Sequence, residues 1–340
     1  MAERVLITGG AGFIGSHVAD ELLRAGYDVR ALDVLVEQVH GDQQRPTYLA
    51  EEVELIAGDI RSPEVVRGAL EGVDSVLHLA ARVGVGQSMY EQSDYAGANT
   101  LGTSVLLDAL LERPVRKLVV ASSMSIYGEG AREDGRPIPT PETKQPELAS
   151  VYALTKYDQE RLCLLYGAAY DVPAVALRLF NVYGPRQALS NPYTGVLAIF
   201  AARLLNDRPP VVYEDGEQRR DFVHVTDVAR AFRLALENDG ADGQAVNIGS
   251  GHGTTILELA ETLARLLEKD IEPELPGTSR AGDIHHCFAD VSRARELLGF
   301  EAQVDLEDGL AELAEWLKTQ PATDHFDQAA AELAERGLTR

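Results

Sequence analysis

Short apolar runs alternate with amphipathic stretches through the first 180 residues of the chain. Apolar runs bounded by turn residues are typical of buried strands, whereas apolar residues spaced three and four apart are typical of helices. Strands that alternate with helices indicate a doubly wound α/β fold, in which ligands bind beyond the carboxyl ends of a parallel sheet. The pattern predicts strands at 5–7, 28–33, 53–57, 74–81, 117–121 and 175–179.

The pattern is looser in the second half of the chain. There we expect a smaller α/β lobe that is interleaved with the sheet rather than separate from it. The expected organisation is a domain at 1–180, a lobe at 181–318 and a polar, partly helical tail at 319–340. Helices are predicted at 89–111, 150–170, 195–205, 226–237, 255–268, 291–298 and 306–318, short strands at 211–213 and 245–248, and irregular structure at 34–50, 128–148 and 180–193.

A glycine cluster follows the first predicted strand and precedes a helical pattern. Gly9, Gly12 and Gly15 are spaced as G-x-x-G-x-x-G, and Gly10 also completes G-x-G-x-x-G. Glycines at these positions allow a tight turn, a close approach of backbone N–H groups to a pyrophosphate, and close packing of helix on strand. The positive end of the helix dipole would then face the pyrophosphate. The cluster predicts a Rossmann-type dinucleotide site.

The next predicted strand ends in an acid, Asp33. Its distance from the glycines is near the spacing of about 20 residues at which a carboxylate binds the adenosine ribose. A solvated aspartate at a strand end is the simpler alternative, but strand, glycines and acid occur together here. Because a carboxylate at this place repels a 2′-phosphate, we expect NAD rather than NADP.

Tyr152 and Lys156 stand four residues apart in a predicted helix and therefore share one face. Tyrosine, with an ordinary pKa of about 10, is a weak base at neutral pH, and a nearby ammonium group is expected to lower that pKa. Such a pair also arises by chance in many helices. Its position after the fifth strand, which runs into Ser122 and Ser123, favours catalysis, because the Ser123 hydroxyl can bind the same substrate oxygen.

Composition excludes several classes of protein. The 340 residues carry a net charge of −23, which disfavours a nucleic-acid surface. No apolar run approaches the roughly 18 residues of a membrane span. Cys163 and Cys287 are isolated, so we expect neither a metal site nor a disulfide framework. With the first strand starting close to Met1, no signal peptide is expected, and a cytoplasmic location is favoured.

Further motifs follow in order along residues 3–318. They are Thr8-Gly9-Gly10-Ala11-Gly12-Phe13-Ile14-Gly15, Gly58-Asp59-Ile60, His78-Leu79-Ala80-Ala81, Tyr152-Ala153-Leu154-Thr155-Lys156, Arg178-Leu179-Phe180-Asn181-Val182-Tyr183-Gly184-Pro185 and Arg220-Asp221-Phe222-Val223-His224-Val225. With this set the chain resembles the extended short-chain dehydrogenase/reductase family, and within it the NAD-dependent nucleotide-sugar epimerase/dehydratase group. The resemblance implies NAD as cofactor, a nucleotide-diphosphate sugar as substrate, and a homodimer.

The resemblance also implies roles for individual residues. Asp59 and Ile60 would contact the adenine edge, and Asn99 would hold backbone near the fifth strand. Lys156 would bind the nicotinamide ribose as well as tune Tyr152. The implied catalytic residues are Ser123, Tyr152 and Lys156; the implied cofactor contacts are Gly9, Gly12, Phe13, Ile14, Gly15, Asp33, Asp59, Ile60, Leu79, Ala80, Ala81, Asn99, Tyr152 and Lys156; and the implied substrate contacts are Ser123, Asn181, Arg220 and Arg280.

Two residues depart from the patterns of related enzymes. The family's 4,6-dehydratases have Asp-Glu after the strand-five hydroxyl, whereas this chain has Met124 and Ser125. Methionine cannot donate a proton and serine is a poor base, which disfavours elimination of water. Uronate decarboxylases usually keep a glutamate at the Ser125 position, so that activity is also disfavoured.

The remaining set of Ser123, Tyr152 and Lys156 with NAD predicts redox-neutral epimerisation at C4 of a nucleotide sugar. Loop sequences around 84–90, 123–130 and 187–195 are most similar to those of dTDP-L-rhamnose 4-epimerases, although the motifs themselves define neither the base nor the sugar. A 4-ketoreductase or a uronate decarboxylase on the same scaffold stays open as an alternative. A non-enzymatic dinucleotide sensor is disfavoured because both Tyr152 and Lys156 are present.

Overall fold

A parallel sheet of seven strands forms the centre of the molecule. A computed structural model describes residues 2–41, 44–188, 195–278, 284–320 and 326–338. The sheet has the order β12-β8-β5-β4-β1-β2-β3, and every pairing within it is parallel. The strands of the described regions are β1 (Arg4–Thr8), β2 (Asp28–Asp33), β3 (Glu54–Ala57), β4 (Ser75–His78), β5 (Lys117–Ser123), β6 (Arg132–Glu133), β7 (Arg136–Pro137), β8 (Ala174–Leu179), β9 (Asn181–Tyr183), β10 (Arg219–Arg220), β11 (Phe222–His224), β12 (Ala245–Ile248), β13 (Thr254–Thr255) and β14 (His286–Cys287).

Helices cover both faces of this sheet, which confirms the predicted doubly wound fold. Within the described residues they are α1 (Phe13–Arg24), α2 (Glu37–His40), α3 (Pro63–Ala69), α4 (Val85–Ser88), α5 (Gln92–Tyr95), α6 (Gly102–Glu112), α7 (Val151–Tyr170), α8 (Val196–Leu205), α9 (Val225–Glu237), α10 (Ile256–Leu266), α11 (Ser292–Leu298), α12 (Leu306–Leu317) and α13 (Phe326–Glu335). None of the helices in this part of the chain has the length and apolar character needed to cross a membrane.

The two faces of the sheet carry separate apolar clusters because strand side chains alternate in direction. Val5 and Ile7 of β1 belong to a cluster that includes residues of α1 and α9. Leu6, between them, belongs to the opposite cluster with residues of α3, α6 and α7. Both faces of β1 are therefore buried, as the continuous apolar run in its sequence predicts.

The second half of the chain supplies one strand of the large sheet and also forms the lobe. Its strand β12 pairs with β8 at one edge of the large sheet. Two small sheets, β13-β10-β14 and β11-β9, lie in the lobe, whose helices α8, α10 and α12 surround a third apolar cluster. The buried Asp221 carboxylate, between β10 and β11, accepts backbone N–H groups from Ser250, Gly251 and Ala289. The interleaving of lobe and sheet expected from the sequence is confirmed.

Several stretches differ from the sequence-based predictions. The irregular stretch predicted at 128–148 contains β6 and β7, and the strand predicted at 211–213 is reduced to a single bridge between Val211 and Glu274. The helix predicted at 89–111 is interrupted: α4 and α5 are single turns, residues 96–101 are π-helical, and α6 begins only at Gly102. The irregular stretch 34–50 contains the one-turn helix α2. The predicted loop after Phe180 contains β9, which pairs with β11, a long-range partner that local periodicity does not reveal.

The tail expected to be partly helical contains α13. Asp327 lies 3.0 Å from Arg203 of α8 and 2.8 Å from Arg208. At its other end the Arg336 guanidinium lies 4.1 Å from the centre of the Tyr90 ring. This helix therefore contacts both the lobe and the segment between α4 and α5.

Candidate active site

The glycine loop connects β1 to α1 at the carboxyl edge of the sheet. Gly9 has a φ of +71°, and a Cβ on it would lie 2.9 Å from the backbone nitrogen of Ala80. A Cβ on Gly15 would overlap the Gly9 carbonyl oxygen, so α1 packs directly against the turn. Gly12 is the N-cap of α1 and provides no side-chain cap. The first N–H groups of the helix, at Phe13 and Ile14, thus begin where a pyrophosphate is expected.

Asp33 lies at the end of β2 and faces the glycine loop. Its carboxylate accepts the backbone N–H of Ala11 at 3.0 Å and that of Leu35 at 2.9 Å. His40 Nε2 lies 3.7 Å from the same carboxylate. These contacts fix the carboxylate beside the loop, and its two oxygens retain further lone pairs for ribose hydroxyls.

The end of β4 forms the wall behind the loop. Leu79 donates its backbone N–H to the Thr8 carbonyl, and Ala80 donates to the Thr8 hydroxyl at 3.2 Å. Ala80 and Ala81 are half-buried residues whose small side chains leave room for a flat ligand beside Gly9. These three residues therefore line the cleft in which the resemblance places the nicotinamide half of NAD.

Asp59 and Ile60 lie beyond the carboxyl end of β3. The Asp59 carboxylate pairs with Arg61 at 2.6 Å, and this guanidinium lowers the pKa of Asp59. Ile60 is buried, and a Cβ on Gly102 would meet its side chain at 2.5 Å. Both residues lie on the same side of the sheet edge as Asp33, next to the place expected for adenine, and their cofactor role stays a prediction.

Asn99 lies in the π-helical turn and is fully buried. Its Oδ1 accepts the Arg82 N–H at 2.7 Å, and its Nδ2 donates to the Arg82 carbonyl at 3.1 Å and to the Thr155 hydroxyl at 2.9 Å. The expectation that it holds backbone near β5 is wrong, because the backbone it holds follows β4. Asn99 thereby joins the cofactor wall to α7.

Ser123 ends β5, and Tyr152 and Lys156 lie one turn apart at the start of α7. Ser150 caps α7 by accepting the Ala153 N–H, which places Tyr152 in the first turn and Lys156 in the next. The Ser123 hydroxyl accepts from the Ser125 hydroxyl at 2.9 Å and hydrogen-bonds the Tyr152 phenol. The structure thus brings Ser123 and Tyr152 into contact, whereas Lys156 lies one turn after Tyr152 on α7 and donates its Nζ to Gln159.

Burial has the largest effect on the pKa values of Tyr152 and Lys156. Burial raises the pKa of Tyr152, and only the Ser123 hydrogen bond lowers it. Burial also lowers the pKa of Lys156 to about 8. The expected lowering of the phenol pKa by Lys156 and NAD stays a prediction, because in the protein by itself desolvation of the phenolate is the larger effect. Further positive charge close to Tyr152 is needed to make it a base near neutral pH.

A buried ion pair supports the floor of the site. Glu160, one turn after Lys156 on α7, accepts from Arg178 of β8 at 2.6 Å and from the Ser122 hydroxyl at 2.7 Å. The same guanidinium donates to the Tyr127 hydroxyl at 2.8 Å. This network ties β5, α7 and β8 together directly beneath Ser123.

Met124 and Ser125 form a short 3₁₀ turn after β5 and are buried. Ser125 uses both its N–H and its hydroxyl to donate to the Ser123 oxygen. No carboxylic acid stands at either position, so this turn has no residue that could protonate a leaving hydroxyl.

Asn181 and Arg220, two of the residues predicted to bind substrate, lie in the lobe at 181–318. Asn181, at the start of β9, has a buried Oδ1 atom without a hydrogen-bond partner among the described residues. Such an atom is costly unless a ligand pairs with it. Arg220, in β10, donates to the carbonyls of Ile284 and His285. Arg280 lies outside the described residues.

Sequence reasoning missed two polar contacts of the catalytic helix. The Ser88 hydroxyl accepts the backbone N–H of Tyr152 at 3.0 Å, and no motif points to it. Gln159 accepts from Lys156 Nζ at 2.6 Å. Its spacing of three residues from Lys156 on one helix was a signal that could have found it.

The residues present fit a dinucleotide. The bare helix N-terminus at Gly12 suits a pyrophosphate, the fixed Asp33 carboxylate suits ribose hydroxyls, and the close packing of Gly9 on Ala80 leaves a flat wall. Lys156 is buried on α7 and has an ammonium group with three donors, one of them used by Gln159, so it can also donate to a second ribose.

Comparison with known proteins agrees with this geometry. The model of the NAD dependent epimerase/dehydratase family matches residues 5–249. The chain is 34% identical to dTDP-L-rhamnose 4-epimerase of Burkholderia thailandensis, over 93% of this chain and 95% of that protein.

Two solved structures show the same fold. UDP-glucose 4-epimerase of Thermotoga maritima, solved with UDP-glucose, has a TM-score of 0.84 and 35% identity over 93% of this chain and 98% of that one. UDP-glucuronic acid 4-epimerase of Bacillus cereus, solved with UDP-glucuronic acid and NAD, has a TM-score of 0.83 and 31% identity over 93% and 99%.

Proposed function

Because this chain belongs to the NAD dependent epimerase/dehydratase family, we propose that it is an NAD-dependent nucleotide-sugar 4-epimerase. The observation that carries this proposal is the contact of Ser123 with Tyr152, one helical turn before Lys156, beside Met124 and Ser125, where elimination or decarboxylation would need an acid. A site with one acid–base group and no second acid suits removal and return of hydrogen at a single carbon.

NAD, when bound, supplies a reversible hydride acceptor for C4 of the sugar and a positive charge close to the phenol. We propose that 1–180 holds it, with the pyrophosphate at Gly12, Phe13, Ile14 and Gly15 and the adenosine ribose at Asp33. Lys156 would bind the nicotinamide ribose. The remaining proposed contacts are Gly9, Asp59, Ile60, Leu79, Ala80, Ala81 and Asn99.

Tyr152 is the proposed acid–base residue. As phenolate it accepts the proton of the C4 hydroxyl while the C4 hydrogen leaves, and it returns that proton when C4 is reduced from the opposite face. The 4-keto sugar must turn over between these steps. The Ser123 hydroxyl, already hydrogen-bonded to the phenol, can bind the reacting oxygen in both orientations.

The lobe at 181–318 is proposed to hold the nucleotide diphosphate firmly and the hexose loosely. Arg220 and Arg280 suit the diphosphate because a planar guanidinium pairs with phosphate oxygens. The unpaired Asn181 Oδ1 is an acceptor, so it would take a hydroxyl or ribose donor rather than a phosphate oxygen, unless the amide is flipped to present its Nδ2.

dTDP-L-rhamnose, or a related dTDP- or UDP-hexose, is the proposed substrate. The support is the 34% identity with the Burkholderia rhamnose epimerase over nearly the whole of both chains. The similarity of the loop sequences at 84–90, 123–130 and 187–195, of which 189–194 lie outside the described residues, points the same way.

A homodimer is also proposed. Leu154 and Leu165 lie on one side of α7 and are 46% and 56% exposed, and Leu101 before α6 is 53% exposed. Three large exposed apolar side chains on adjoining helices favour burial against a second copy. Light scattering of Leu165→Glu should show monomers where the unaltered protein is a dimer, and a monomeric unaltered protein would contradict the proposal.

Incubation with dTDP-, UDP- and GDP-sugars, followed by proton NMR, tests the proposed activity. Inversion at C4 of a dTDP- or UDP-hexose without net consumption of NADH supports the epimerase. Stoichiometric consumption of NADH would indicate a 4-ketoreductase, and release of CO₂ from a uronate would indicate a decarboxylase.

A further inference from the structure

Gln159 is a fully buried polar residue on the same face of α7 as Lys156. Its Oε1 accepts from Lys156 Nζ at 2.6 Å. Its Nε2 lies 3.2 Å from the Ala80 carbonyl oxygen and 3.0 Å from the Thr103 hydroxyl. One side chain thus contacts the proposed catalytic lysine and the proposed wall of the cofactor site.

The orientation of this amide follows from its partners. The Lys156 ammonium can only donate and the Ala80 carbonyl can only accept. The Gln159 oxygen must therefore face Lys156 and the nitrogen must face Ala80. A flipped amide would put two donors against each other at 2.6 Å and two acceptors against each other at 3.2 Å.

The groups behind the amide form a buried hydrogen-bond network. Ala80 N–H donates to the Thr8 hydroxyl, which lies 2.7 Å from His78 Nδ1. His78 Nε2 lies 3.2 Å from Gln159 Nε2 and 2.8 Å from the Thr103 hydroxyl, which donates to the Asn99 carbonyl. Burial lowers the pKa of His78 to about 3, which keeps the ring neutral.

We propose that Gln159 is a positioning residue: its amide holds the Lys156 ammonium at the cofactor wall while leaving the positive charge uncompensated. This inference rests on the proposed roles of Tyr152 and Lys156. A neutral acceptor restrains the ammonium without cancelling its field. A carboxylate at the same place would hold the ammonium equally well but would neutralise its effect on the phenol.

Among the described residues, few titratable groups lie around Lys156 and Gln159. Glu160 and Cys163 on α7 face Lys156, and so does His78 of β4. Tyr95 of α5 packs edge-on against Tyr152 with ring centres 6.4 Å apart. Glu160 is already paired with Arg178, so Lys156 has its nearest side-chain acceptor in the uncharged Gln159.

Gln159→Glu and Gln159→Met test the inference in the full-length enzyme. Both replacements are close to glutamine in size. We expect Gln159→Glu to shift the acid limb of the pH profile of kcat upward by about one pH unit or more, because a carboxylate added beside Lys156 opposes the positive charge on which the proposed role of Lys156 depends and disfavours a nearby phenolate. Gln159→Met should lower NAD affinity and kcat by about tenfold, with a smaller shift of the limb, because the ammonium keeps its charge but loses its restraint.

Gln244→Glu is the matched control, since the Gln244 side chain bonds the Gly240 carbonyl far from any catalytic group and should leave the profile unchanged. The position of the acid limb is independent of the amount of folded enzyme, so partial unfolding does not confuse the result. If Gln159→Glu does not fold, Gln159→Met carries the test through NAD affinity and kcat.

An active unaltered enzyme whose Gln159 variants keep its pH profile and its NAD affinity would overturn the inference. So would equal losses of kcat in both variants without any movement of the acid limb, which is the signature of a structural role alone. Failure of the proposed function gives a different result from failure of this inference. In that case the unaltered enzyme would invert no C4 centre, or the Tyr152→Phe variant would keep full activity.

Discussion

Alanine at Gly12 and alanine at Gly15 should separate NAD binding from folding. Gly12 has φ −71° and ψ 178°, a conformation open to any residue, and a Cβ there would meet only the Gly9 carbonyl oxygen, at 3.3 Å. Gly12→Ala should therefore change the free energy of unfolding by less than about 1 kcal/mol. The new methyl group nevertheless lies where backbone must approach the pyrophosphate, so NAD affinity should fall at least about tenfold, or about 1.4 kcal/mol.

Gly15→Ala should show a different pattern. Its Cβ would overlap the Gly9 carbonyl oxygen and lie 2.8 Å from the Gly10 Cα, and both obstacles are backbone atoms. Backbone cannot rotate away as a side chain does, so α1 or the loop must shift, at a cost of about 1–3 kcal/mol of stability. NAD binding should weaken as well, because the shifted loop no longer presents its N–H groups correctly.

Urea unfolding without NAD and calorimetric titration with NAD measure the two effects in the same preparations. We predict that Gly12→Ala keeps its free energy of unfolding but binds NAD weakly. Gly15→Ala should lose both stability and NAD affinity. Unaltered NAD affinity in Gly12→Ala would refute the placement of the pyrophosphate, and unaltered stability in Gly15→Ala would refute the packing of α1 on the loop.

Three further predictions concern the cofactor, the diphosphate and acid stability. In Asp33→Ala, calorimetry should show the preference for NAD over NADP narrowed by about tenfold or more, because the carboxylate that repels a 2′-phosphate is gone; an unchanged preference would contradict the assignment. Arg220→Ala should weaken binding of the nucleotide sugar by about 1.5–3 kcal/mol while leaving NAD binding unchanged, and equal losses for both ligands would indicate a misfolded lobe. Because burial lowers the pKa of His78 to about 3, the unfolded chain binds a proton below pH ~6.5 that the native ring refuses, so stability is lost as the pH falls from ~6.5 towards ~3. Between pH 7 and pH 5, His78 should account for a loss of about 2 kcal/mol in the free energy of unfolding measured with urea. A His78→Asn variant whose free energy of unfolding falls equally steeply with pH would contradict this prediction.

The larger elements followed from the sequence because their signals are local. The apolar runs of β1, β2 and β8 lie within about one residue of their predicted places, and α7 begins within one residue of the predicted start at 150. The spacing of Tyr152 and Lys156 was enough to predict that they share one helical face. Glycine spacing likewise located the turn after β1.

The errors come from interactions between distant parts of the chain. The predicted helix at 89–111 breaks because the buried Asn99 is held by Arg82 and Thr155, neither of which periodicity can identify. The pairing of β9 with β11 needs a partner about 40 residues away along the chain. Burial of the phenol, which raises the pKa of Tyr152, is likewise invisible in the sequence.

The most direct test of the central claim is the fate of the C4 hydrogen in deuterated water. In the proposed mechanism this hydrogen leaves C4 and returns to it within the enzyme, and Tyr152 exchanges only the proton of the hydroxyl. We predict that NMR and mass spectrometry will find the C4-inverted nucleotide sugar with its original hydrogen at C4, and that Tyr152→Phe, with NAD affinity retained, will form it at least about 10²-fold more slowly. Solvent deuterium at C4 of the product would contradict the account, because it would mean that inversion proceeds by proton abstraction at that carbon.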